Sequence, residues 1–139
     1  MEGEIIKSYL VLFNSHSYKT EEIEFWFARD LQRLLAYSKW ENFEKVIDKA
    51  KVACEKSGIN IEDNFAESIR TIEMPKGGNK EINDIILSRY ACYLIAQNGD
   101  SRKEEIAFAQ SYFAVQTRKQ EIIEKRIILK ERLDARKVK

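Results

Sequence analysis

The side chains able to do chemistry are few and scattered. His16 is the single histidine among 139 residues. It stands in a polar stretch, His16-Ser17-Tyr18-Lys19-Thr20, with no nucleophile or carboxylate spaced to form a triad with it. Cys54 and Cys92 are the two cysteines, and each falls on an apolar helical face, where a thiol serves as a small hydrophobe. A metal centre needs further ligands close by, and none accompanies them. Lys76-Gly77-Gly78-Asn79-Lys80 is glycine-rich but lacks the GxxxxGK[ST] spacing that cradles a phosphate. Glu104, Glu105, Glu121 and Glu124 lie on helical faces among bases, and Glu121 with Lys125 is an ordinary i,i+4 pair. The expectation is a protein that binds rather than catalyses, with no cofactor and no metal.

Three features are suited to binding. The first is a turn with Lys76 and Lys80 at its tip and Arg70 nearby, since a hairpin with basic ends can reach a nucleic-acid backbone. The second is a basic C-terminal stretch that opens at Arg118 and Lys119. Residues 117–139 hold nine of the 24 Lys and Arg and four of the 23 Asp and Glu, an excess of five positive charges; the preceding residues carry −4 and the chain +1. The body is thus mildly acidic, unlike a dedicated nucleic-acid binder, which is basic throughout. The third is a thin apolar stripe, Ile123, Ile127 and Leu133, which could join two copies of the chain helix to helix.

The elements that position these features follow from periodicity and punctuation. The length is that of one domain, and no segment repeats. Ile5–Phe13 is an apolar run whose type the pattern leaves open. A polar turn and a short strand, Ile23–Phe27, suggest a small hairpin. Ala28, Leu31, Leu34 and Leu35 mark a first helix. Ser38 and Glu41 have the spacing of a capping box for a second, with Trp40, Phe43, Ile47, Ala50 and Cys54 on one face and Gly58 as its stop. Ala66–Met74 and Glu81–Leu87 flank the turn Pro75-Lys76-Gly77-Gly78-Asn79 and form a second hairpin. Ser88 caps a third helix over Arg89–Gln97. Ser101 with Glu104 opens a last one that meets no proline or glycine before Lys139.

The expected fold is α+β and mostly helical, with small β-hairpins packed on about four helices and a long C-terminal helix. Residues 1–117 form its compact domain, and residues 118–139 the projecting basic end. No apolar run approaches the roughly 20 residues of a membrane span. The N-terminus, Met1-Glu2-Gly3-Glu4, lacks the basic start of a secretory signal. The expected location is the cytoplasm, with no membrane partner.

Several segments together resemble the DNA-damage-inducible protein D family. They run Glu24–Gln32, Leu35–Phe43, Lys49–Cys54, Asp84–Asp100 and Ile106–Gln120. The resemblance covers about residues 20–137 and leaves the first 20 poorly matched. This family is similar to the BRO-type N-terminal domains of phage antirepressors, which are associated with DNA binding. The resemblance implies a part in the bacterial SOS response, modulating the RecA recombinase filament on single-stranded DNA. The alternative is a direct DNA-binding module of the antirepressor kind, on single- or double-stranded DNA. Related proteins often carry Gly-Ser or Gly-Ala near the hairpin turn, where this chain has Pro75-Lys76-Gly77-Gly78. Family proteins are longer, so the chain corresponds to an N-terminal portion or to a short member. The resemblance carries over no catalytic residue.

Overall fold

The computed structural model describes residues 3–19 and 24–115. Its elements are α1 (Gly3–Ser15), β1 (Tyr18–Lys19), β2 (Glu24–Phe27), α2 (Ala28–Leu34), α3 (Trp40–Lys56), β3 (Phe65–Glu73), β4 (Asn79–Ser88) and α4 (Arg89–Gln97). Residues 104–115, here α5, are also helical. All neighbouring strands are antiparallel, in the order β1-β2-β4-β3.

This corrects the expectation of a mostly helical fold carrying separate small hairpins. The two hairpins pair through β2 and β4, with Trp26 opposite Leu87 and Phe27 opposite Ile86. The result is a single sheet that forms a full layer of a mixed α+β fold. The physical reason is that a lone two-stranded hairpin is marginal in water, whereas a wider sheet backed by helices is stable. A long C-terminal helix is not part of the described fold: α5 is seen over residues 104–115, and residues 116–139, with the expected domain boundary at 117, lie outside the described residues.

The apolar run near the N-terminus is helical. Tyr9 and Phe13, four residues apart, stack on α5: ring centroids lie 5.1 Å apart for Tyr9–Phe108 and 5.3 Å for Phe13–Tyr112. The Tyr112 hydroxyl donates to Asn14 Oδ1 at 2.5 Å. The helix after Tyr37 begins one residue later than a Ser38 cap would have it. Lys39 is its N-cap, with Phe43 N–H donating to the Lys39 carbonyl, and no side chain caps it. Ser101 likewise makes no capping bond among the described residues. Asp100 instead accepts the Arg102 and Lys103 amides ahead of α5.

Other boundaries stand where the residues put them. The Ser88 hydroxyl accepts the Ala91 amide at 3.0 Å and opens α4 over Arg89–Gln97. After α3, Ile59 N–H reaches the Cys54 carbonyl and Gly58 N–H the Glu55 carbonyl, with Gly58 at φ 75. This double bond pattern requires a left-handed residue, which glycine adopts without strain.

The core lies between the sheet and the helices. Trp26, Phe13, Phe43, Phe113, Leu31, Ile47, Leu87, Ile95 and Ile106 are fully buried. Trp26 meets Phe113 edge-on at 5.2 Å, and its indole N–H donates to the Phe13 carbonyl at 3.3 Å. That bond satisfies the one polar atom of a buried tryptophan.

Candidate nucleic-acid interface

Strand register sorts the sheet's side chains onto two faces, because successive residues point to opposite sides. Pairing places Trp26, Leu87 and Phe65 on one face. All three are buried, and the same parity continues along the β3–β4 ribbon as Glu67, Ile69, Thr71, Glu73, Glu81, Asn83 and Ile85, where it is no longer covered: all but the half-buried Ile85 are exposed. The other face carries Tyr18, Phe25 and Phe27 from β1 and β2, then Ala66, Ser68, Arg70, Ile72, Lys80, Ile82, Asp84 and Ile86. Among these, only Asp84 is buried. Charge is segregated by the same alternation. The acidic residues of the ribbon's exposed surface, Glu67, Glu73 and Glu81, share the covered face's parity, whereas Arg70 and Lys80 share the open one.

The ribbon extends past its neighbours. β2 pairs with β4 only over Ile86–Ser88, so the part of β3–β4 toward the turn stands as two strands. Side chains from Glu73 through Glu81 are all exposed. Gly77 and Gly78 take φ values of 90 and 80, and Gly77 N–H donates to the Met74 carbonyl. Consecutive left-handed residues explain why glycine occupies both positions. Lys76 and Lys80 flank this turn, and neither is in a salt bridge among the described residues.

Arg70 is placed differently from those two lysines. Its Nη1 lies 3.1 Å from Asp30 Oδ1 and 3.4 Å from Asp84 Oδ2, and its Nη2 donates to the Tyr18 hydroxyl at 3.3 Å. The guanidinium sits 4.3 Å above the Phe27 ring, a favourable cation–π position. Burial disfavours the charged guanidinium, but the hydrogen bond to Asp30 and that carboxylate's charge outweigh it and raise the Arg70 pKa above its ordinary value. Asp30 also takes Arg33 at 2.6 Å, and its second oxygen has no partner among the described residues. Asp84 accepts the Arg29 amide at the start of α2 and the Ile85 amide. The cluster thus ties β3, β4, α2 and β1 together, and Arg70 is held in it. Arg118 and Lys119, and the expected helix-to-helix contact between copies, fall outside the described residues.

The three aromatics of the open face form a continuous layer. Tyr18 and Phe25 stack at 5.5 Å with ring planes 15° apart, and Phe27 meets each edge-on at 5.1 and 5.7 Å. Tyr18 is 40% exposed. Reading residues one motif at a time missed this layer. The signal was present in Phe25-Trp26-Phe27, whose alternation puts its outer rings on the side opposite the buried Trp26.

A groove of about 750 Å³ lies on the covered face's side of the ribbon, with Arg29, Trp40, Glu44, Glu67, Ile69 and Ile85 in its walls. Arg29 lies 4.2 Å above the Trp40 ring and donates to the Asn83 carbonyl at 2.7 Å. The groove's cation is therefore already engaged, and its rim is acidic. His16 closes the end of α1, with Nδ1 2.8 Å from the Leu12 carbonyl. Among the described residues no helix is long and apolar enough to cross a membrane.

Comparison with known proteins places these features in a family. The chain is 45% identical over 117 residues to DNA damage-inducible protein D of Escherichia coli strain K12. That alignment takes in 78% of this chain and 43% of the relative, so the chain spans less than half the length of the relative it matches. No solved structure matches it significantly. Residues 14–114, from the end of α1 through the sheet to nearly the end of the described α5, match the BRO family, N-terminal domain, and the chain belongs to that family.

Proposed function

We propose that this chain is a non-catalytic DNA-binding module of the bacterial DNA-damage response, and that it acts in the cytoplasm on the RecA recombinase filament formed on single-stranded DNA. Family membership and the name of its relative support the setting. The observation that carries the reading is the projecting β3–β4 ribbon, with Lys76 and Lys80 unpaired among the described residues at its exposed tip. Two-stranded ribbons of this width enter nucleic-acid grooves, and lysines contact phosphates by displacing counterions. A filament-disassembly assay on single-stranded DNA tests it. The protein should shorten filament lifetime, and K76E/K80E should restore it. Filaments unchanged by the wild-type protein would refute the filament role.

A second reading, direct DNA binding of the antirepressor kind, is favoured by the same ribbon. It predicts binding to DNA alone, weakening steeply with salt. Losing two phosphate contacts in K76E/K80E should flatten the slope of log affinity against log salt by about 2. Absence of binding at low salt would exclude it.

A further inference from the structure

We propose that the open sheet face is a base-stacking platform for single-stranded DNA, with Tyr18 as its exposed ring and Lys80 and Lys76 as its phosphate contacts. The inference deepens the DNA-binding reading above and rests on it.

Three observations point to this occupant. First, among the described residues this face meets α2 only through the Asp30–Arg70–Asp84 cluster, and its residues are half-buried or exposed apart from Asp84. Second, the face holds an aromatic layer. The Tyr18 ring lies parallel to Phe25 on one side and keeps 40% of its surface accessible. Such a ring accepts a base whose own π-face is free, and in a duplex those faces are already stacked. Third, Lys80, in no salt bridge among the described residues, shares the parity of the aromatics, while Glu67, Glu73 and Glu81 point the other way; Arg70, on the same side, is held by Asp30 and Asp84. An acidic protein partner would find the same cations, but it would have no use for a stacked aromatic layer beside them.

The dimensions agree. Tyr18 pairs with Phe25 and Phe25 with Ser88, and Lys80 lies eight residues back along β4. At roughly 3.3 Å per residue the offset along the strands is about 26 Å, and two strand spacings of about 4.8 Å across the sheet bring the ring-to-lysine span to about 28 Å. A strand within the roughly 4–16 nucleotides held by single-strand-binding folds covers it. Arg70 closes the layer on the ribbon side, its guanidinium 4.3 Å above Phe27 and its Nη2 donating to the Tyr18 hydroxyl at 3.3 Å.

The test is fluorescence anisotropy with a labelled oligothymidylate of about 20 nucleotides and a duplex of equal length, at low salt. Wild-type protein should bind the single strand. Tyr18→Ala should weaken that binding about ten-fold, the loss of one stacked base, and leave duplex binding unchanged. Tyr18→Phe, which keeps the ring and loses the hydroxyl, should stay within about two-fold of wild type. K76E/K80E should weaken both probes. If K76E/K80E weakens binding and Tyr18→Ala does not, the DNA reading stands and the platform falls. If Tyr18→Phe loses as much as Tyr18→Ala, the hydroxyl contact rather than stacking is at work, and the platform falls again. If neither probe binds, both readings fall. Tyr18 is exposed in a two-residue edge strand, and circular dichroism of each variant checks that the fold is intact.

Discussion

The two faces of the sheet are written by the same strands in alternate letters, yet they solve different problems. On the covered face at the root of the sheet, Trp26, Leu87 and Phe65 meet helices, and shape decides which residues fit. On the open face Tyr18, Phe25 and Phe27 meet one another and an arginine, and the surroundings are charged. A residue's neighbour in sequence can thus belong to another region of the molecule. Phe25 and Trp26 differ less in chemistry than in what the register sets opposite them.

The comparison is broken most strongly at Trp26. Trp26→Ala should destabilise the fold by about 3–5 kcal/mol, the usual loss for a fully buried large aromatic. Tyr18→Ala, one face away, should cost less than about 1 kcal/mol, as surface changes do. Urea titrations of the two variants measure both, and similar losses would erase the distinction between the faces.

Asp84 is the exception on the open face, and it sharpens the comparison. Its oxygens serve two backbone amides and Arg70. Asp84→Ala leaves those donors without this acceptor and should cost about 2–3 kcal/mol. That is below the full loss for a broken buried pair, because Arg70 is partly exposed and keeps Asp30. A loss under about 1 kcal/mol would mean that the cluster does not hold the ribbon to α2.

A pH measurement probes the covered side. Burial, then the charge of Glu24, raises the Tyr112 pKa to about 12 from 10.0. The folded state therefore keeps this proton while the unfolded chain gives it up. The stability tied to the neutral phenol is intact below pH 10 and falls as pH rises toward about 12. Denaturation of wild type and Tyr112→Phe across that window should show a shallower decline in the variant. Parallel declines would contradict the assignment.

Local signals were legible in the residues, and distant pairings were not. Ser88, Gly58 and the Pro75–Asn79 turn mark boundaries because a cap or a left-handed residue acts within a few positions. α1 was left open because Ile5–Phe13 is apolar on every side, with Ile5, Ile6, Leu10, Val11 and Leu12 exposed and only Phe13 buried. Its period cannot show until Tyr9 and Phe13 find α5. The joining of the hairpins was hidden because Trp26 and Leu87 meet across most of the domain. Arg70 was grouped with the tip lysines by nearness in sequence; its partners Asp30 and Asp84 come from α2 and β4. Lys76 and Lys80 do lie at the exposed end of the ribbon, where the turn residues put them.

The alternation in β3 also governs which insertions and deletions this gene could tolerate. One residue added between Phe65 and Glu73 reverses the side of every residue from there to the turn. Glu67 or Glu73 would then face the rings and Arg70 would turn away, with composition almost unchanged. Two added residues restore the order of the faces and shift the pairing with β4 by two positions. Length variation within β3 should therefore come in even steps, while the Gly77-Gly78 turn, which fixes no face by itself, is where odd ones can be absorbed.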